Sequence, residues 1–131
     1  AQTMIMSSIR EMLQGRSPEY TPAGQIWDYL YSKDAAEALF LAAETGKDGA
    51  VYCLGSGQAR TLREYIEAMR DEIHPGLHLK LGAKPYAPEQ VMHLCADLSE
   101  LTKDTGFIPR YTFEEGIRRT IAWARSAGEK S

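Results

Sequence analysis

Apolar positions Ile5, Ile9, Met12 and Leu13 recur at i, i+4, i+7 and i+8, which predicts an amphipathic helix over residues 3–14, stopped at Gly15. Residues 15–24 carry two Gly, two Pro, Ser and Thr and read as a loop. Residues 26–31 then alternate: Ile26, Asp28 and Leu30 on one side, Trp27, Tyr29 and Tyr31 on the other, the pattern of a strand. Asp34 with Glu37 has capping-box spacing and predicts a helix to about Thr45, packing through Ala35, Ala38, Leu39 and Ala42. Phe40 and Leu41 lie outside that stripe and give the helix a second apolar face. Residues 50–54 are an apolar run of strand length, and Gly55-Ser56-Gly57 turns the chain. Thr61 and Glu64 form a second capping box before the stripe Leu62, Tyr65, Ile66, Met69 and Ile73, which Pro75-Gly76 ends. Leu77, Leu79 and Leu81 alternate with His78 and Lys80 as in a half-buried strand. Residues 82–89 form a loop, and residues 90–96 are extended or irregular. Asp97 and Glu100 cap a short helix that Gly106 ends, while Thr112 and Glu115 cap a last helix with Phe113, Ile117, Ile121 and Ala124 inward. The alternation predicts a small mixed α/β lobe of three or four short strands and about five helices.

A chain of 131 residues suits one domain with a real core. A net charge of −3 argues against nucleic acid or an anionic membrane as partner, and no apolar run approaches the ~18–20 residues that span a bilayer. Cys53 and Cys95 make no disulfide framework and suit a reducing cytoplasm. No basic-then-apolar leader is visible, and the start at Ala1, without Met, fits a processed or truncated chain.

Chemistry-bearing residues give little by themselves. In Gly55-Ser56-Gly57 the third glycine of a dinucleotide loop would fall at Arg60, and no acidic partner follows, so a tight turn is the better reading. His74 and His78 are separated by Pro75-Gly76, and His93 and Cys95 lack a second spaced pair, so no metal site is expected. Asp34 reads as a helix cap and Asp28 as an anchor of a backbone turn.

Larger blocks carry a resemblance. Gly24, Gln25, Asp28, Tyr29, Tyr31, Asp34 and Ala36 follow the pattern Gly-x-Gln-x-x-Asp-Tyr/Phe-x-Tyr-x-x-Asp-x-Ala. Tyr52-Cys53-Leu54-Gly55-Ser56-Gly57, Leu81 to Tyr86, Val91 to Asp97, Thr105-Gly106-Phe107-Ile108-Pro109 and Phe113 to Ile117 follow in order. Together they resemble the carboxy-terminal substrate-binding lobe of the NAD-dependent epimerase/dehydratase family, the extended short-chain dehydrogenases/reductases. Tyr29 and Lys33 match the spacing of that family's catalytic Tyr-x-x-x-Lys. Their gap here is mostly strand, which would part them by roughly 13 Å, so no catalytic residue is assigned.

The resemblance implies a single carboxy-terminal domain over residues 1–131, with the amino-terminal Rossmann lobe absent from this chain. It implies a nucleotide-sugar substrate, and NAD or NADP in the intact protein, with no cofactor bound by this portion alone. It places substrate contacts at Gln25, Trp27, Tyr86 and Gln90, with Lys84 near the loop. The missing Rossmann lobe is the implied partner, and a homo-oligomer is left open. The family has arginines that grip the substrate diphosphate where this chain has Trp27 and, in the loop before Gln90, Ala87. Those departures favour a rival reading, a non-catalytic ligand-binding or regulatory module derived from the family.

Overall fold

The computed structural model describes residues 4–129. The expected helix start at Thr3 lies outside them. Five helices occur among the described residues: α1 (Met4–Leu13), α2 (Ser32–Thr45), α3 (Leu62–Ile73), α4 (Ser99–Thr105) and α5 (Phe113–Glu129). Two short strands, β1 (Ile26–Trp27) and β2 (Arg60–Thr61), pair antiparallel, with Ile26 opposite Thr61 and Trp27 opposite Arg60.

The expected α/β lobe is present, but with fewer strands than the three or four the pattern suggested. Residues 50–54 are not a strand, and Val51 is 92% exposed. An apolar run of strand length needs a neighbour to pair with, and no described segment lies beside this one as a strand. The run at 77–81 contributes a single parallel bridge, Lys80 to Glu19, and residues 90–96 contribute one, His93 to Ile26.

The main core lies among α1, α3 and α5. Ile9, Met12, Ile66, Met69, Ile117 and Ile121 are buried there, the inward positions that the helical periodicity selects. Tyr20 enters from the loop, and its hydroxyl donates to Ser8 Oγ at 2.7 Å. A smaller core joins α2 to α4 through Ala38, Leu101 and Phe107, with Leu41 and Ala42 packed against them. Leu39, expected inward, is 65% exposed beside exposed Phe40. Three consecutive large apolar residues cannot share one helical face, and Leu41 is the one that turns in.

Helix starts follow the sequence in two cases. Thr61 Oγ1 accepts from Glu64 N at 3.2 Å, and Thr112 and Glu115 form a reciprocal box at 3.1 and 3.2 Å. Asp34 is different. Helix α2 begins earlier, at Ser32, and the buried Asp34 carboxylate accepts from Arg110 N and Tyr111 N, both at 3.0 Å. It therefore caps the backbone entering α5, and Glu37 pairs with Arg110.

Candidate functional site

The stretch preceding β1 is held by a loop that arrives from far along the chain. Gly82 N and Lys84 N donate to the carbonyls of Thr21 and Tyr20 at 3.1 and 3.2 Å. The Tyr86 hydroxyl accepts from Gly24 N at 2.8 Å, and a Cβ at position 24 would sit 3.1 Å from that oxygen. Residues 92–94 then run alongside β1: Ile26 N donates to Met92 O and Leu94 N to Ile26 O, both at 2.8 Å. The five residues proposed from the sequence thus lie on two segments that the fold lays against each other.

Their states differ. Gln25 is 5% exposed, and its Oε1 is buried without a hydrogen-bond partner. Trp27 is half-buried and gives its carbonyl to the Tyr65 hydroxyl at 3.1 Å. Tyr86 is half-buried, its hydroxyl engaged by Gly24. The side chain of Gln90 turns back to Val91 O at 3.1 Å. Lys84 is exposed and forms no ion pair among the described residues. Ala87 is exposed on the same loop.

Beside this face, Asp28 ties three segments together. Its Oδ1 accepts from the Ser56 amide at 2.8 Å and from the Ser56 hydroxyl, and its Oδ2 accepts from Gly57 N at 3.0 Å and Ala96 N at 3.2 Å. These are the amides a Gly-x-Gly loop would offer to a phosphate. With Asp28 already on them, the Gly55-Ser56-Gly57 turn does not fit a dinucleotide cofactor. Gly55 is required for packing, since a Cβ there would lie 2.6 Å from Ala96 Cβ and 2.9 Å from Asp28 Oδ2. Among the described residues no group of three or more His, Cys, Asp and Glu could hold a metal ion, and no helix is long and apolar enough to cross a membrane.

A second feature was not singled out from sequence. A cavity of about 610 Å³ opens between the 29–32 segment, the 56–60 turn and the start of α5. Tyr29, Tyr31, Tyr65, Tyr111 and Phe113 line it, with Arg60 at its edge. Tyr29 meets Tyr65 edge to face at 4.9 Å, and Tyr31 meets Tyr111 likewise at 4.9 Å. Burial, reinforced by Tyr65, pushes the Tyr29 phenol up to about 12, so it is a neutral donor at ordinary pH. Arg60 lies 5.6 Å from the Tyr65 ring centre and 5.8 Å from that of Phe113, and both its terminal nitrogens bind the Glu114 carboxylate. That paired hydrogen bonding raises the Arg60 pKa and holds Glu114 below the usual carboxylate range. The sequence signal for the cavity was the pair of alternating aromatics, Tyr29 with Tyr31 and Tyr111 with Phe113, which also reads as ordinary packing.

No protein-family model matches the chain. The dTDP-glucose 4,6-dehydratase of Shigella flexneri is 29% identical over 127 residues, covering 92% of this chain and 35% of that protein. That of Neisseria gonorrhoeae is 28% identical over 133 residues, covering 92% of this chain and 38% of its own length. Among solved structures, UDP-N-acetylglucosamine 4-epimerase from Methanobrevibacter ruminantium M1, in complex with UDP-N-acetylmuramic acid, superposes with a TM-score of 0.84 at 29% identity, over 95% of this chain and 40% of that one. UDP-glucose 4-epimerase from Thermotoga maritima, with UDP-glucose, shares the fold at a TM-score of 0.87 and 21% identity, over 95% of this chain and 40% of that one. The chain therefore spans well under half the length of these proteins, and the match falls on their carboxy-terminal part.

Proposed function

We propose, from the premise that this chain is homologous to the carboxy-terminal part of NAD-dependent epimerase/dehydratase enzymes, that it is the substrate-binding portion of a nucleotide-sugar epimerase, dehydratase or reductase. In this reading residues 1–131 form one domain. An amino-terminal Rossmann lobe carries NAD or NADP and the chemistry, and the portion described here is inactive alone. The observation that supports it best is the loop 82–94 laid against residues 20–27, locked by the Tyr86 hydroxyl on Gly24 N. The groups on these two segments that fit the reading are the Trp27 ring, the Gln90 carboxamide and the exposed Lys84 cation, suited to a base, a sugar and a phosphate respectively. The two exposed, unpaired cysteines suit a reducing cytoplasm.

Titration of the chain with UDP-glucose and dTDP-glucose, followed by amide and indole NMR signals, tests this. Saturable shifts at Gly24, Trp27 and residues 84–90 are expected. Shifts absent at those positions at millimolar ligand overturn the reading.

One observation favours the rival, a non-catalytic ligand-binding module. Arg60, opposite Trp27 in the ribbon, is already paired with the Glu114 carboxylate. A module that had lost its diphosphate substrate would have this charge pattern, and it would give no saturable shift with either nucleotide sugar.

A further inference from the structure

We propose that residues 85–91 form a strap, hinged at Lys84 and Met92 and held shut by one latch, the Tyr86 hydroxyl on Gly24 N. Its bearing on ligand binding rests on the reading above; the latch itself does not.

Both hinges are fastened. Lys84 N donates to Tyr20 O at 3.2 Å, and Met92 O accepts from Ile26 N at 2.8 Å. The chain between them is loosely held. Pro85 and Pro88 have no N–H to donate. Gln90 N bonds Ala87 O, and the Gln90 carboxamide bonds Val91 O, so both bonds stay within the strap. No residue of 85–91 belongs to either hydrophobic core or packs against one. Pro85, Ala87, Pro88, Glu89 and Val91 are exposed. Among the described residues, the hydrogen bonding of this segment to the rest of the chain comes down to Tyr86 and Gly24, at 2.8 Å. A segment with so few buried contacts opens locally at little cost.

The latch is fitted from both sides. A Cβ at position 24 would meet the Tyr86 phenol oxygen at 3.1 Å and no other atom within 4 Å. Gly24 has no positive φ, so it is the phenol that asks for glycine there. Release would free the Gly24 N–H as a donor and move Gln90, which the reading above counts among the ligand contacts. The latch would then regulate that edge.

The test is limited digestion of the 131-residue chain by a glutamate-specific protease, with cleavage after Glu89 followed by mass spectrometry. Cleavage of this kind tracks the population of the open form. Tyr86→Phe keeps the ring and removes the latching oxygen, and one exposed neutral hydrogen bond is worth about 2–10-fold in an equilibrium. This variant should therefore be cut at Glu89 about 2–10 times faster than wild type. Gly24→Ala, which presses on the phenol from the other side, should do the same. Cleavage at Glu44, within α2, should not change. Backbone NMR order parameters in Tyr86→Phe should fall at 85–91 and hold at Lys84 and at 92–94. No ligand is present, so failure of the latch and failure of the nucleotide-sugar reading are told apart. An unchanged rate at Glu89 in Tyr86→Phe, equal acceleration at Glu44, or unchanged order at 85–91 would each overturn the proposal.

Discussion

Asp28 and Ser56 are joined twice, through the Ser56 amide at 2.8 Å and through its hydroxyl, both on the same carboxylate oxygen. The other oxygen collects Gly57 N and Ala96 N, so one side chain fastens the turn after residue 54 and the chain entering α4 to the end of β1. A carboxylate offers only acceptors, which is what four converging donors require.

Asp28→Asn should therefore be costly although it is nearly isosteric. The amide presents N–H₂ where an acceptor stood, leaving at least one backbone donor unmatched. Destabilisation of about 2–3 kcal/mol is expected. Urea unfolding at pH 7 measures it, and a change under 0.5 kcal/mol would contradict the role given to Asp28.

Gly55→Ala should also destabilise, by about 1–3 kcal/mol, because its Cβ would press on Ala96 Cβ and Asp28 Oδ2. Ala96→Gly in the same chain removes one of the two obstacles and should recover part of the loss. A double-mutant cycle reads that coupling, and strict additivity would show that the two positions do not meet.

Helices and two of their caps were legible in the sequence because their partners are three and four residues apart. Thr61 with Glu64 and Thr112 with Glu115 behave as their spacing predicts. Asp34 did not, because its partners, Arg110 N and Tyr111 N, lie far along the chain where no local pattern points. Strand-like runs at 50–54 and 77–81 were misleading for a related reason: alternation announces a surface suited to pairing and says nothing of whether a partner is there. The same limit hid the cavity, whose rings come from separate segments at 29–31, 65 and 111–113 and whose emptiness is a property of their packing.

The Arg60–Glu114 pair should contribute to stability at neutral pH and lose that contribution in acid. Glu114 titrates below its ordinary value of 4.5 in the fold, chiefly through its hydrogen bonds to Arg60. A carboxylate lowered in this way adds stability above its unfolded pKa, and that stability disappears as pH falls through the folded value. Both side chains are partly exposed, so the contribution is at most about 1 kcal/mol. Comparing thermal unfolding of Glu114→Gln and wild type should show a gap at pH 7 that closes near pH 3. A gap that persists at pH 3 would mean that the carboxamide disturbs packing instead.

Titration with NAD and NADP should give no saturable heat. The one Gly-x-Gly turn in the chain has two of its amides, Ser56 and Gly57, bound to Asp28, and an anion there would have to displace a carboxylate. Micromolar binding of either nucleotide would show a cofactor site that these residues do not provide.

The last prediction concerns how the 20–27 and 82–94 segments would meet a diphosphate. Trp27 offers one N–H donor and a flat face, Ala87 offers neither, and Arg60 opposite Trp27 is held by Glu114. Lys84 is exposed on this edge and forms no ion pair among the described residues. Charge-assisted hydrogen bonds contribute about 1.5–3 kcal/mol each. Installing two arginines, Trp27→Arg with Ala87→Arg, should tighten binding of a nucleoside diphosphate sugar by roughly a hundredfold. The gain should shrink as salt rises, because exposed charges are screened over about 10 Å at 0.1 M. Affinity measured at two salt concentrations for wild type and double variant separates the possibilities. If wild type already binds tightly with a steep salt dependence, Lys84 or a released Arg60 supplies the charge. Lys84→Gln or Arg60→Gln would then identify which, by flattening that dependence.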